Sequence, residues 1–319
     1  MGERRERVLF ASGVALLVGA AALAWWLWLG RQPASPGPPL PPPPPRLERL
    51  TVAAASGEVR IRRHGAAGPV AVRAGEELRP DDEVETGPGA AVQLAAGESY
   101  RVGLDENSRF AVREITAELG RFRLAEGLMS ASVRDDPARS FEVEAGPEAL
   151  ARTRGGDLSI AASEGAAEVA VRRGQAEVTS AGRAVVVRAG QRALVLAGEA
   201  PTEPSPVPAS LLLEVNWPRV EVTNQRRLVV TGRTEPGALL AVGGQPVRVG
   251  RDGTFRHVVY LNEGHQKLGA TPRDASGHRS HERGPEILLD TRGAPAEFDT
   301  DRLWGNEGNA PMGGRKPSP

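Results

Sequence analysis

The sequence predicts an all-β extracytoplasmic protein held on a membrane by one N-terminal helix. Three observations point there. An uncharged run of 23 residues spans Val8 to Gly30. From Leu47 to Thr291, short segments of alternating apolar residues recur, separated by Gly or charged turns, and no helical period of useful length survives. Gly and Pro are abundant, 38 and 27 of the 319 residues, as in a turn-rich chain.

Composition excludes several function classes. Lys+Arg and Asp+Glu balance at 40 each, so the basic footprint of a nucleic-acid binder is missing. With no Cys there is no disulfide framework, thiol nucleophile or Cys-ligated zinc. Aromatic residues are only 4% of the chain, which is low for a protein that stacks sugars or bases. Basic charge is almost all Arg, with Lys only at Lys267 and Lys316.

Residues 1–7 read as a cytoplasmic stub and Val8 to Gly30 as the transmembrane helix. At 1.5 Å per residue the run is long enough for the roughly 30 Å of hydrocarbon. Arg4, Arg5 and Arg7 precede it and only Arg31 follows closely, which favours a cytoplasmic N-terminus. Trp25, Trp26 and Trp28 sit at the far end, where an aromatic belt meets the outer interface. A cleaved signal peptide is the competing reading. Ala22-Leu23-Ala24 matches its small-residue pattern but lies inside the apolar run, and the run exceeds the roughly 7–15 residues of a signal core. Ala11, Ala15 and Gly19 at four-residue spacing form a face on which two helices could pair as a homodimer; composition alone also accounts for them.

Residues 31–46 form a spacer. Nine of the 13 residues from Pro33 to Pro45 are Pro, which forces polyproline II. At about 3.1 Å per residue this holds the remainder roughly 40 Å from the membrane. An SH3-type ligand is the alternative, out of place outside the cytoplasm.

Residues 47–200 read as one β region. Val59-x-Ile61, Val92-x-Leu94, Tyr100-x-Val102-x-Leu104, Phe110-x-Val112, Phe122-x-Leu124, Phe141-x-Val143, Leu158-x-Ile160 and Val169-x-Val171 all alternate, sending one face inward. Val72-Arg-Ala-Gly75 and Val187-Arg-Ala-Gly190 echo one another, a hint of stacked β units. Thr86-Gly87-x-Gly89 permits a tight turn with positive φ. Asp81 and Asp82 are placed to bond nearby backbone amides.

These residues resemble the FecR-like domain. The matching pieces are Ala74-Gly75-Glu76-x-Leu78, Asp81-Asp82-x-Val84-x-Thr86-Gly87-x-Gly89-x-Ala91, Leu94-x-x-Gly97, Glu106-Asn107-Ser108, Leu124-x-x-Gly127, Val169-x-Val171-x-x-Gly174-x-Ala176-x-Val178 and Val187-x-Ala189-Gly190-Gln191. The resemblance covers about 150 residues and implies a periplasmic twisted β-solenoid-like domain whose glycines shape turns. It also implies envelope signalling. The resembled regulators carry a cytoplasmic anti-sigma segment before the membrane helix. Here seven residues precede Val8, so direct anti-sigma activity is not expected.

Pro201, Pro204, Pro206 and Pro208 mark a linker over 201–214. From 215 to 293 the alternation resumes in seven or so short strands, which suits a small sandwich. Thr234-Glu235-Pro236-Gly237 reads as a type II turn and Asp252-Gly253 as a hairpin turn. With Asp274-Ala275-x-Gly277 and Asp290-Thr291, this region resembles bacterial immunoglobulin-like modules, which implies a spacer, an adhesion unit or a carbohydrate-associated module. His278 stands where that family often has Asn. Residues 294–319 read as a disordered tail.

Chemistry-bearing clusters are few. His278 and His281 are the only close histidine pair, with Glu282 and Asp274 nearby, and read better as a solvated turn than a metal site. Asp81, Asp82, Glu83 and Glu85 form the densest acidic cluster, but without an EF-hand-like spacing. No nucleophile elbow, phosphate loop or dinucleotide fingerprint is present, so no enzyme activity, cofactor or metal is expected. The expectation is an inner-membrane protein, single-pass, with a periplasmic bulk that contacts an unidentified envelope or membrane protein. The alternatives are a cell-wall or polysaccharide-binding protein, for which only Trp217, Phe255 and Tyr260 offer aromatic platforms, and a passive stalk.

Overall fold

The computed structural model describes residues 25–26, 48–66 and 68–291. Trp25 and Trp26 are helical and exposed. The rest of the run from Val8 to Gly30, the proline spacer and the tail after Thr291 lie outside the described residues. Among the described residues no helix is long and apolar enough to cross a membrane. The described residues from 48 to 291 belong to one compact unit, and their elements are all strands.

The first β region contains β1 (Leu50–Ser56), β2 (Val59–Arg62), β3 (Val70–Ala71), β4 (Glu77–Leu78), β5 (Glu83–Thr86), β6 (Ala91–Ala96), β7 (Tyr100–Leu104) and β8 (Arg109–Ile115). It continues through β9 (Leu119–Val133), β10 (Ser140–Ala145), β11 (Ala149–Thr153), β12 (Gly156–Ala162), β13 (Ala166–Ser180), β14 (Arg183–Arg188), β15 (Gln191–Leu196) and β16 (Ser205–Pro206). One sheet runs β16-β15-β13-β12-β9-β7-β6-β1-β4. The other runs β14-β13-β11-β10-β9-β8-β5-β2-β3.

The long strands β9 and β13 belong to both sheets. β9 pairs with β8 and β10 up to Glu126, then with β7 and β12 from Gly127 onward. β13 pairs with β12 and β15 up to Gly174, then with β11 and β14. Each changes sheet at a glycine with positive φ, 104° at Gly127 and 78° at Gly174. Neither position has room for a side chain. A Cβ on Gly127 would fall on the Ser108 backbone, and one on Gly174 would lie 2.7 Å from the Gly155 carbonyl oxygen.

Alternation explains the core. Val92, Leu94 and Ala96 of β6 and Tyr100, Val102 and Leu104 of β7 are all buried, and the residues between them are not. Tyr100 meets Phe122 and Phe141 of the facing sheet edge-on, at centroid separations of 5.7 and 5.3 Å. Each such side chain contributes about 1.5–3 kcal/mol by leaving water. The outer face carries charges in cross-strand order. Glu114, Arg121, Glu142 and Arg152 form an alternating ladder over β8 to β11, with contacts of 3.8, 3.1 and 2.8 Å.

The sequence echo is structural. Gly75 and Gly190 have φ of 83° and 80°, and each donates its N–H at 2.8 Å, to the carbonyls of Val52 and Val171. In each copy the Arg amide donates to a side chain three residues on: Arg73 to Glu76 and Arg188 to Gln191. Both turns carry the chain from the second sheet back to the first.

The second β region holds β17 (Leu213–Asn216), β18 (Val222–Thr223), β19 (Arg227–Thr234), β20 (Leu239–Val242), β21 (Gln245–Val247), β22 (Thr254–Tyr260), β23 (Gly264–Arg273) and β24 (Glu282–Leu289). A three-stranded sheet, β17-β19-β22, and a five-stranded sheet, β18-β24-β23-β20-β21, enclose one core. Val230 and Phe255 come from the first, and Val242, Ala270 and Ile287 from the second. The expected linker is partly strand: β16 pairs with β15, and Val207 packs on a small cluster of Ala161, Ala170 and Ala275. That cluster joins the two β regions.

Candidate functional site

The motif residues of the first region act on backbone. Thr86 is buried, donates its hydroxyl to the Asp105 carbonyl at 2.6 Å and accepts the Ser108 amide at 2.8 Å. Ser108 in turn accepts the Leu128 amide at 3.1 Å, tying this turn to the bend of β9. Asp82 accepts the Arg79 amide at 2.9 Å and the Arg63 guanidinium at 2.5 Å. Asp81 instead supplies a left-handed backbone, φ 67°. The expected positive φ of the Thr86-Gly87-x-Gly89 turn belongs to Gly89, at 68°, and not to Gly87. Gly87 is small for another reason: a Cβ there would press on the Glu58 carbonyl oxygen at 3.3 Å. Gly97 completes a turn with φ 50°. Among the described residues these side chains hold their own turns and strands and are not gathered at one place.

In the second region Gly237 has φ 83°, and a Cβ there would meet Leu194 of the first region at 2.5 Å. Pro236 lies beside it and beside Gly253, which has φ 81° and no room for a Cβ against Thr234. Asp252 accepts the Thr254 hydroxyl at 2.7 Å and its amide at 3.0 Å, and these bonds hold its carboxyl below the usual range. Asp274 is wholly buried and accepts the His278 amide at 2.8 Å, while Gly277 closes the turn with φ 91°. His278 Nδ1 faces Asp274 at 3.0 Å, whereas His281 faces Thr271. Glu83 and Glu85 lie on one outward face, both paired with Arg62. Among the described residues no three His, Cys, Asp or Glu side chains gather as metal ligands.

One buried charge cluster lies where the two β regions meet. Glu168 of β13 is 1% exposed and accepts the Arg192 guanidinium at 2.9 Å. Arg192 also reaches Glu235 of the second region at 2.7 Å. The Ala275 amide donates to Glu168 at 3.4 Å. Burial pushes the Glu168 carboxyl above its ordinary range, opposed by Arg192 and reinforced by the neighbouring Asp274 charge. Further ion pairs cross the junction: Arg248 with Glu164 at 2.7 Å, Arg251 with Glu199 at 2.8 Å, Arg279 with Asp105 at 3.0 Å, and Arg273 with Glu106. Sequence reasoning missed Glu168. Its signal was the near-continuous small apolar run around it, Ala166 to Val171, which marks a strand covered on both faces.

Two further surfaces bear on recognition. Among the described residues β14 pairs only with β13, which leaves its other edge without a strand partner there, and Val186 on it is 39% exposed. Arg183 and Arg188 bound that edge. Of the aromatic platforms, Phe255 is buried and Trp217 packs on the second core and donates its indole N–H to Glu282 at 2.9 Å, leaving Tyr260, 62% exposed.

Residues 82–177, less than a third of the chain, match the FecR protein family model. The chain therefore carries a FecR domain, as the residues from Gly75 to Gly190 led us to expect. No curated protein matches. Two crystal structures of a candidate anti-sigma factor from Parabacteroides distasonis align at 18% and 19% identity, each with a TM-score of 0.35. In each the alignment covers 39% of this chain and 59% of that one, so the chain spans less than two thirds of the solved protein. The fibronectin(III)-like modules of Clostridium thermocellum CbhA align at 12% identity and a TM-score of 0.23, over 58% of this chain and 96% of theirs.

Proposed function

We propose that this FecR-domain protein is a single-pass protein of the bacterial inner membrane. Val8 to Gly30 anchors it, the proline spacer lifts it from the surface, and the two β regions act in the periplasm as a protein-interaction module in envelope signalling or organisation. The second region serves as an immunoglobulin-like support. The observation that carries the proposal is the open edge of β14 in a region that contains the FecR domain. A six-residue strand with one unpaired edge and an exposed Val is a template for strand addition by a partner. A polysaccharide-binding role draws less support, because Tyr260 alone remains of the three aromatic platforms.

Two experiments on the full chain in cells test this. Carbonate-washed membranes should retain the protein, and deletion of residues 8–30 should release it. A photo-crosslinker at Ala184 or Val186 should capture a discrete envelope protein that the same probe at the exposed Glu286 does not. Equal background at both positions would overturn the edge as contact site, and retention on purified peptidoglycan would favour the polysaccharide reading.

A further inference from the structure

A partly open cavity of about 230 Å³ lies at the junction of the two β regions. It is smaller than the usual 300–1,000 Å³ of a pocket for a drug-sized ligand, so it suits one short chain or one side chain. Leu128, Leu239, Pro246 and Val249 supply apolar wall. Its other lining groups include three carboxylates and two guanidinium groups: Glu106, Glu126 and Glu164, against Arg248 and Arg273.

Four of those five charges are already matched. Arg248 holds Glu164 at 2.7 Å, and Arg273 holds Glu106. These pairs tie the two β regions together at the cavity. The Glu126 carboxylate alone has no hydrogen bond or ion pair among the described residues. Its cross-strand neighbour in register is Arg109, but that guanidinium turns to Glu83 and Glu85, at 3.8 and 3.6 Å. The Asn107 side-chain amide, also in the lining, is likewise without a partner among the described residues. The half-buried Glu126 carboxylate and the Asn107 amide thus line one cavity of mixed polar and apolar wall, each without a partner among the described residues.

We propose that this cavity binds the end of an aliphatic chain that carries a primary ammonium. The methylenes lie along the apolar wall and the ammonium donates to Glu126 and to the Asn107 carbonyl oxygen. An ammonium has three donors and no acceptor, which fits two acceptors and no spare donor charge. The chemistry has two sources: a free diamine, or the lysine side chain of a protein.

The test is calorimetric titration of the full chain, in detergent, with n-butylamine, n-pentylamine, n-pentanol, 1,5-diaminopentane and Nα-acetyl-lysine N-methylamide. Pentylamine should bind about tenfold or more tighter than pentanol, the usual value of a hydrogen bond to a charged group. Going from butyl to pentyl should tighten binding about fourfold, one buried methylene. Glu126→Gln should bring pentylamine down to the level of pentanol. Ala241→Leu, which fills the cavity from β20, should weaken both, and it carries the test if the first variant fails to fold. Preference for the diamine assigns a free polyamine, and preference for the lysine amide assigns a protein partner. Equal binding of pentanol and pentylamine, unchanged binding in Glu126→Gln, or no saturable heat up to about 50 mM would overturn the proposal.

Discussion

Glu168 and Arg192 pair at 2.9 Å, with the carboxylate 1% exposed, and the same guanidinium reaches Glu235 of the other β region at 2.7 Å. One arginine thus neutralises a buried charge and fastens the two β regions to each other. Arg192→Met should destabilise the protein by about 3 kcal/mol, because it leaves Glu168 buried and unpaired. The doubly apolar variant Glu168→Leu with Arg192→Met should recover part of that loss. Urea denaturation measures both.

Acid should act on two buried carboxylates in opposite senses. Burial pushes Glu142 up, but the hydrogen bonds from Arg152 and Arg121 outweigh it and hold the group below its ordinary 4.5. Its contribution is full above that value and is lost as pH falls through the folded-state value. Glu168 is held above 4.5, chiefly by burial, so its contribution is full below 4.5 and is lost as pH rises through the folded-state value. Along a series of urea midpoints from neutral toward about pH 3, wild type minus Glu142→Gln should shrink. Wild type minus Glu168→Gln should change the other way.

Gly127→Ala should be among the most damaging single methyl additions. The residue sits at φ 104° with the Ser108 backbone where a Cβ would go. Strain and overpacking together predict a loss of about 3 kcal/mol or more. Gly277→Ala, at φ 91° with open space around it, should cost only about 1–2 kcal/mol. Thermal melts of the two variants give the comparison.

Thr86→Val keeps the volume but removes the hydroxyl that accepts the Ser108 amide at 2.8 Å. With that donor left buried and unsatisfied, the expected loss is about 1–3 kcal/mol. Hydrogen exchange at the Ser108 amide should accelerate in step.

Much of the fold was legible because alternation is a local signal. The inward face of β6 and β7 could be read residue by residue, and the repeated Val-Arg-Ala-Gly segments hinted at stacked β units, though not that each carries the chain from one sheet to the other. The partition of strands between two sheets was not legible, since nothing local says that β9 changes partners at Gly127. The junction was the hardest part. Glu168 and Glu235 are 67 residues apart and share Arg192 only after both β regions have formed. The free state of Glu126 depends on Arg109 turning toward Glu83 and Glu85 instead, a choice of side-chain direction that register alone does not fix.

The sharing of β9 and β13 has a consequence for how the molecule comes apart. Neither sheet can peel away while the other stays whole, since two strands would have to survive in one half and melt in the other. Unfolding of the first region should therefore be a single cooperative event, with slow refolding because β1 and β6 or β9 and β12 must find each other across intervening strands that belong to the other pairings. Slowest-exchanging amides should cluster at the two bends, around Gly127 and Gly174, with one common opening free energy.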